Sequence, residues 1–145
     1  MDAMQRFAIE QACTKLMNQF AVYNDQARFA ELAALFTENA RYARPIAPDT
    51  IIDGRSNIQA TFEARPKDRV GRHIISNTVI EVQSADRATG ICYALLFSGQ
   101  ADKPAAKLGL QAQSPQLVGE FHDEFVLTAD GWKFQQRQGR IIFSA

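Results

Sequence analysis

What this sequence has little of narrows it first. No apolar run approaches the roughly 18 residues of a membrane-spanning helix, and the N-terminus lacks the basic and apolar regions of a secretory signal. The expectation is a soluble, cytoplasmic chain. Charge of neither sign prevails: Lys plus Arg and Asp plus Glu number 16 each, so nothing basic recommends a nucleic acid or an anionic membrane as partner. A small organic ligand or another protein is expected instead. The two cysteines, Cys13 and Cys92, lie inside apolar patterns and in no metal-ligand spacing. They read as buried free thiols of a reducing compartment. Missing too are a G-x-S-x-G elbow, a phosphate-binding glycine loop, a dinucleotide fingerprint and any His or Cys pair at metal spacing. Acid-base chemistry without metal or organic cofactor remains if the chain is an enzyme. With 145 residues and no internal repeat, residues 1–145 are read as one domain, able to bury roughly 70% of its unfolded surface.

Histidine is also scarce, with His73 and His122 the two in the chain. His73 falls in Gly71-Arg72-His73-Ile74-Ile75-Ser76-Asn77-Thr78-Val79-Ile80-Glu81-Val82, whose alternation predicts a β-strand. Strand side chains point to opposite faces in turn, so His73, Ile75, Asn77 and Val79 are expected on one side and Ile74, Ser76, Thr78 and Ile80 on the other. The chemistry depends on whether this imidazole faces a cavity and which carboxylate orients it. Asp25 is the expected partner.

From about Met4 to Tyr23, the residues Ile9, Cys13, Leu16, Phe20 and Tyr23 recur at steps of four and three, one stripe of a long helix. Asn24 and Asp25 break the pattern, and Phe29, Leu32, Leu35 and Phe36 predict a second helix. Asp25 then stands at a junction, where its carboxylate either caps that helix or points inward. Arg41 to Arg44 predicts a short strand ended by Pro45 and Pro48, which cannot donate ladder hydrogen bonds. Ser56 with Gln59 has capping-box spacing, and Ile58 with Phe62 gives a third helix an apolar face before Pro66 ends it. Three helices are expected before any long strand.

After Gly71 the period becomes alternating. One strand is predicted to about Gln83 and a second over about 88–98, then Leu117 to Thr128 and Trp132 to Ile142 around the Ala129-Asp130-Gly131 turn. Residues 99–116 lack periodicity and read as a long surface connection. The class is α+β, with helices packed on one face of a curved, mainly antiparallel sheet whose open end leaves a pocket. The strands are apolar on both faces, with Ile75 and Val79 against Ile74 and Ile80, and Leu95 and Phe97 against Ala94 and Leu96. That predicts self-association through the sheet, a homodimer first.

Asn24-Asp25 precedes Phe29-Ala30-Glu31-Leu32-Ala33-Ala34-Leu35-Phe36, followed by Asn39-Ala40-Arg41-Tyr42 and Arg72-His73-Ile74-Ile75-Ser76-Asn77. Gly119-Glu120-Phe121-His122-Asp123 then leads to Asp130-Gly131-Trp132-Lys133-Phe134 with Arg137. In order and spacing these pieces resemble the nuclear-transport-factor-2-like superfamily, in particular its SnoaL-like branch of small cone-shaped proteins, over nearly the whole chain. Its members differ in activity, so the fold does not settle function. Two that carry out eliminations, scytalone dehydratase and hexachlorocyclohexane dehydrochlorinase, have an Asp where Asp25 stands and a His where His73 stands. The resemblance implies a base and its orienter. It also has gaps: two tyrosines of the dehydratase match Asn24 and Arg44, its second pocket histidine falls near Gln100, and a lysine of the dehydrochlorinase matches Phe20. Neither substrate carries over.

Free imidazole titrates near pH 6.5, so a neutral ring oriented by a carboxylate can act as a base near neutrality. The candidate catalytic pair is His73, to remove a proton from carbon, and Asp25, to hold the ring. Asn24, Asn77, His122 and Arg44 are candidates to meet the oxygen or leaving group of a substrate, with Tyr42, Phe20, Phe62 and Trp132 as pocket wall. Each has a plain alternative as helix cap, core residue or surface ion pair. His122 and Asp123 alternate and cannot both face the cavity without a bulge. The expected function is a cofactor-independent lyase or isomerase, of dehydratase or dehydrohalogenase type, acting on a small, largely apolar cyclic substrate. The alternative is a non-catalytic ligand-binding or assembly domain, as in the small subunits of ring-hydroxylating oxygenases.

Overall fold

The computed structural model describes every residue except Pro104 and Ser114. Helix α1 (Ala3–Asp25) opens with a capping box: the Gln5 amide N–H donates to the Asp2 carboxylate at 2.8 Å, and the Asp2 N–H donates to the Gln5 side chain at 2.9 Å. Its buried stripe is Ile9, Cys13, Leu16, Met17 and Phe20. Phe20 is the hub of the core, with its ring 5.7–6.2 Å from those of Phe36, Tyr42, Phe62, Phe121 and Phe134, all edge-on. Truncating such a ring to alanine costs about 3–5 kcal/mol.

Helix α2 (Phe29–Ala33) is shorter than the periodicity predicts. Leu35 and Phe36 are buried as expected, but Phe36 opens strand β1 (Phe36–Ala43) instead of closing a helix. The Phe134 N–H donates to the Leu35 carbonyl at 2.8 Å, so the sheet takes the backbone a longer helix would need. An eight-residue strand therefore precedes the third helix, correcting the expectation of three helices first. Strand β2 (Ile51–Asp53) pairs with β1 and is too short to show a period. Helix α3 (Arg55–Glu63) starts before Ser56, with Gly54 as its N-cap, so the expected Ser56 box is not formed. Gln59 donates to Glu63 at 2.8 Å instead, and Arg55 reaches the Phe36 carbonyl at 2.6 and 2.9 Å.

The remaining strands are β3 (Arg69–Val82), β4 (Arg87–Gln100), β5 (Leu117–Thr128) and β6 (Gly131–Ser144). Among the described residues they form one curved, unclosed six-stranded sheet in the order β2-β1-β6-β5-β4-β3, in which only β1 and β6 run parallel. This is the expected α+β arrangement, with α1 packed on the inner face. In the 99–116 connection, residues 104 and 114 lie outside the described ones; Ala105 and Leu110 form an isolated bridge, and the Gln113 N–H donates to Ser98 at 2.7 Å. Among the described residues no helix is long and apolar enough to cross a membrane.

One predicted alternation fails. The β3–β4 register shifts between Ser76 and Val79, where Asn77 adopts a left-handed φ of 52°. This bulge inverts the facing of every later side chain. His73 and Ile75 stay on the inner face, but beyond the bulge Ile80 and Val82 pack on the core while Val79 is 54% exposed. Asn77 is exposed and does not share the face of His73.

Candidate active site

Asp25 ends α1, and α2 has no side-chain cap, so its carboxylate is free to turn inward. Oδ2 accepts the backbone N–H of His73 at 2.9 Å, and Oδ1 lies 2.6 Å from His73 Nδ1. Both side chains are largely covered, 9% exposed for Asp25 and 15% for His73. A carboxylate only accepts, so the imidazole proton belongs on Nδ1 and the lone pair on Nε2. Two contacts from one carboxylate fix the tautomer and the ring plane together.

His73 lines a cavity of about 130 Å³, close to the roughly 150 Å³ that accommodates benzene in an apolar protein interior. That is the size of one six-membered ring. The cavity forms where inward positions of one end of the sheet converge: Ala94 and Leu96 from β4, Leu117 and Phe121 from β5, and Ile141 from β6. Register places them side by side, since Leu96 opposes both His73 and Leu117, and Ala94 opposes Gly119, which opposes Ile141. Gly139 lets the mouth close over the sheet, because a Cβ there would sit 2.6 Å from Pro45 Cγ and 2.9 Å from the Phe121 ring.

Of the residues expected at the site, the structure brings His73, Asn24, Arg44, Tyr42, Phe20 and Phe62 to this cavity, with Asp25 behind His73. Burial pushes the Tyr42 hydroxyl up to about 12, against the attraction of Arg137. Three others lie elsewhere. Asn77 is turned outward by the bulge. His122 is on the outer face of β5, its side chain 53% exposed and 3.2 Å from Glu120, because Asp123 takes the inward position. Trp132 packs on the core opposite Leu127, beside the β5–β6 turn and at the other end of the hairpin from Leu117 and Ile141.

Sequence reasoning missed two groups. Asp123 and Arg137 are fully buried, with Arg137 Nε 3.3 Å from Asp123 Oδ1 and the guanidinium 3.9 Å from the Phe121 ring, 4.4 Å from Phe20 and 4.7 Å from Phe134. Burial raises the Asp123 carboxyl to about 7, while the attraction of Arg137 opposes the shift. The signal for Asp123 was its parity with Phe121 and Phe125. Arg137 stood among the residues of the resemblance but had no signal in the alternation, because a β6 irregularity opposite Glu124 and Phe125 puts Phe134 and Arg137, three apart, on one face. The second group is Arg65 and Arg69, which also line the cavity. Arg69 precedes His73 by four residues in β3 and shares its parity; Arg65 follows α3 and its guanidinium donates to the Asn24 side chain. Among the described residues, no three His, Cys, Asp or Glu side chains form a group suited to a metal.

A family profile described as the SnoaL-like domain matches residues 5–138. The chain belongs to the SnoaL-like domain family. Its architecture is that of the nuclear-transport-factor-2-like superfamily, and solved structures superpose on it closely. One, from Novosphingobium aromaticivorans and provisionally named a scytalone dehydratase, has a TM-score of 0.84 at 21% identity, covering 99% of this chain and 91% of that one. A type 2 hexachlorocyclohexane dehydrochlorinase has a TM-score of 0.80 at 18% identity, covering 99% and 92%. A protein of unknown function from Mycobacterium tuberculosis gives 0.75 at 19% identity, covering 94% and 77%. No curated protein matches the sequence. At these identities the structural likeness speaks for the fold, and the reading of this SnoaL-like domain's function rests on its own side chains.

Proposed function

We propose that this SnoaL-like protein is a cofactor-independent lyase or isomerase, eliminating water or halide from a small, largely apolar cyclic substrate. The observation that carries this reading is the 2.6 Å contact of Asp25 with His73 Nδ1, made while His73 borders a cavity of one-ring size. His73 Nε2 takes a proton from a ring carbon. The electron pair of the broken C–H bond forms the new double bond, and the leaving group departs from the neighbouring carbon with its own pair, as halide or, taking up the proton held by the imidazolium, as water. Asp25 stabilises the imidazolium in a site screened from water, where charge interactions are strong. Arg44 and Asn24 stand at the cavity to meet the departing group. The family assignment and the elimination enzymes among its structural neighbours support the class.

The test is a screen of small cyclic alcohols, hydroxyketones and halides for loss of water or halide. Wild type is expected to turn over at least one, and His73→Ala to be slower by about 10²–10⁴-fold. Equal rates for wild type and His73→Ala on every reacting compound would defeat the proposal. If wild type turns over none, the chain is a ligand-binding or assembly domain, with affinity set by the walls at Phe20 and Phe62.

We also propose a homodimer through the outer face of the sheet. Ile74, Tyr93, Phe97, Ile142 and Phe143 are each between 36% and 68% exposed there, and contiguous apolar surface of this kind is seldom left in water.

A further inference from the structure

Arg44, Arg65 and Arg69 line the cavity at His73, Arg69 also being exposed to solvent, and no Asp or Glu is among the described residues that line it. Asp25 is engaged behind the imidazole. None of the three arginines takes part in an ion pair among the described residues; the pair at this cavity is that of His73 with Asp25. Among the described residues Arg44 and Arg69 donate no side-chain hydrogen bond, and Arg65 donates to the neutral Asn24 amide and lies over the face of the Phe62 ring, 5.5 Å away. Like charges converge, and at Arg65 the attraction of Asp25 works against their repulsion. Burial and then the repulsion of Arg69 hold the Arg65 guanidinium down at about 10, with Arg44 adding to the effect. A second hollow of about 480 Å³ shares Asn24, Arg65 and Arg69 with the cavity and adds Lys67 together with the carboxylates of Asp25 and Glu63, so charge of both signs meets outside and the cavity itself is where the arginines stand without a carboxylate in the wall.

Resting on the reading of this cavity as the substrate site, we propose that its ligand is a small organic anion: one apolar ring bearing a carboxylate, with the ring against Phe20, Phe62 and Phe121 and the carboxylate among Arg44, Arg65 and Arg69. The cavity volume sets the ring size. The guanidiniums set the charge, since each presents paired donors that match a carboxylate, and clustering cations beside a cavity is unfavourable unless an anion joins them. A neutral ring of the same shape fills the apolar wall and leaves the arginines without an anion inside the cavity. The arginines therefore select among ligands that the apolar wall alone would accept equally.

The test compares benzoate with benzamide, near-isosteres that differ in charge, by titration calorimetry at low ionic strength. Benzoate is expected to bind at least about tenfold tighter, and its preference to shrink as salt is raised. Arg44→Gln and Arg69→Gln should each reduce the preference about threefold to tenfold, and Arg44→Lys and Arg69→Lys should retain most of it. Because neither native side chain donates a hydrogen bond, both Gln variants are expected to fold; Arg65→Lys tests the third position while keeping its charge. Benzamide binding as tightly as benzoate, a preference unchanged in the Gln variants, or no binding of either compound at millimolar concentration would each overturn the proposal. His73→Ala separates it from the elimination reading, since turnover should fall while benzoate affinity persists. Selective benzoate binding without turnover of any substrate would uphold the anion site and defeat the lyase. Turnover of neutral substrates with no preference for benzoate would do the opposite.

Discussion

Asp25 holds His73 at two points, its Oδ2 on the backbone N–H and its Oδ1 on ring Nδ1, so strand position and imidazole orientation are set by a single carboxylate. Asp25→Asn removes this arrangement in either amide orientation. With its oxygen on the backbone N–H, the amide NH₂ faces Nδ1 and drives the ring proton to Nε2; flipped, it opposes the backbone donor. We expect turnover to fall about 10²–10⁴-fold and stability by about 1–3 kcal/mol. Nitrogen-15 NMR of the imidazole should show the Nδ1–H tautomer in wild type and its loss in the variant. An unchanged tautomer with full activity would contradict the assigned role.

The buried Asp123 carboxyl gives a pH signature with a definite sign. Its folded value, about 7, lies above the roughly 3.9 of an unfolded Asp. The folded state therefore keeps a proton that the unfolded state has lost. The resulting stability is complete below about pH 4 and lost as pH rises to about 7, by about 1.4 kcal/mol per pH unit. Glu120, held low by Arg140 and His122, works in the other direction, losing its contribution as pH falls through a range below its ordinary value. Denaturant titrations across this range should show the decline in wild type and a flatter profile in Asp123→Asn. A parallel decline in the variant would assign the slope to other groups.

Cys13 and Cys92 should be inert while the protein is folded. Burial lifts their thiols to about 12 and about 11 respectively, so thiolate is scarce near neutrality. Alkylation near pH 8 should be slower than for an unfolded control by about two orders of magnitude at both positions, and mass spectrometry should find both modified after denaturation. Rapid labelling of the native protein at either cysteine would refute this.

Asn77 is a backbone residue of the bulge, outside the cavity. Its left-handed φ of 52° suits Asn or Gly and strains a β-branched side chain. Asn77→Gly should leave turnover unchanged and stability within about 1 kcal/mol of wild type, whereas Asn77→Val should destabilise by about 1–3 kcal/mol. Thermal melts with activity assays on both variants decide it. A large loss of turnover in a stable Asn77→Gly would return this residue to the site.

For the proposed homodimer, light scattering at micromolar concentration should give twice the mass of one chain. Ile74→Glu with Tyr93→Arg, placed on the exposed face, should yield a folded monomer. A wild-type mass of one chain would exclude the dimer.

The order of elements was legible because it depends on local periodicity. The stripe from Ile9 to Phe20 and the alternation of β5 are written residue by residue, and tertiary packing had no reason to contradict them. Asp25 and His73 were legible as candidates because chemistry-bearing residues are few here and their spacing resembles a family pattern. The helix predicted to reach Phe36 failed because the backbone at Leu35 was claimed by a strand about a hundred residues away in sequence.

The sequence by itself determined which side chains could bury and which residue types were available for chemistry, since hydrophobicity, charge and residue identity belong to the chain before it folds. Only the tertiary structure decided which of them meet. Bulges in β3 and β6 changed facing, exposing Asn77 and hiding Arg137. The closure of α1 and α3 over one end of the sheet brought Arg44, Arg65 and Arg69, spread over 26 positions, to one cavity. Parity along a strand is a local property that a one-residue insertion inverts, and convergence of distant segments depends on register and curvature, which no window of sequence contains.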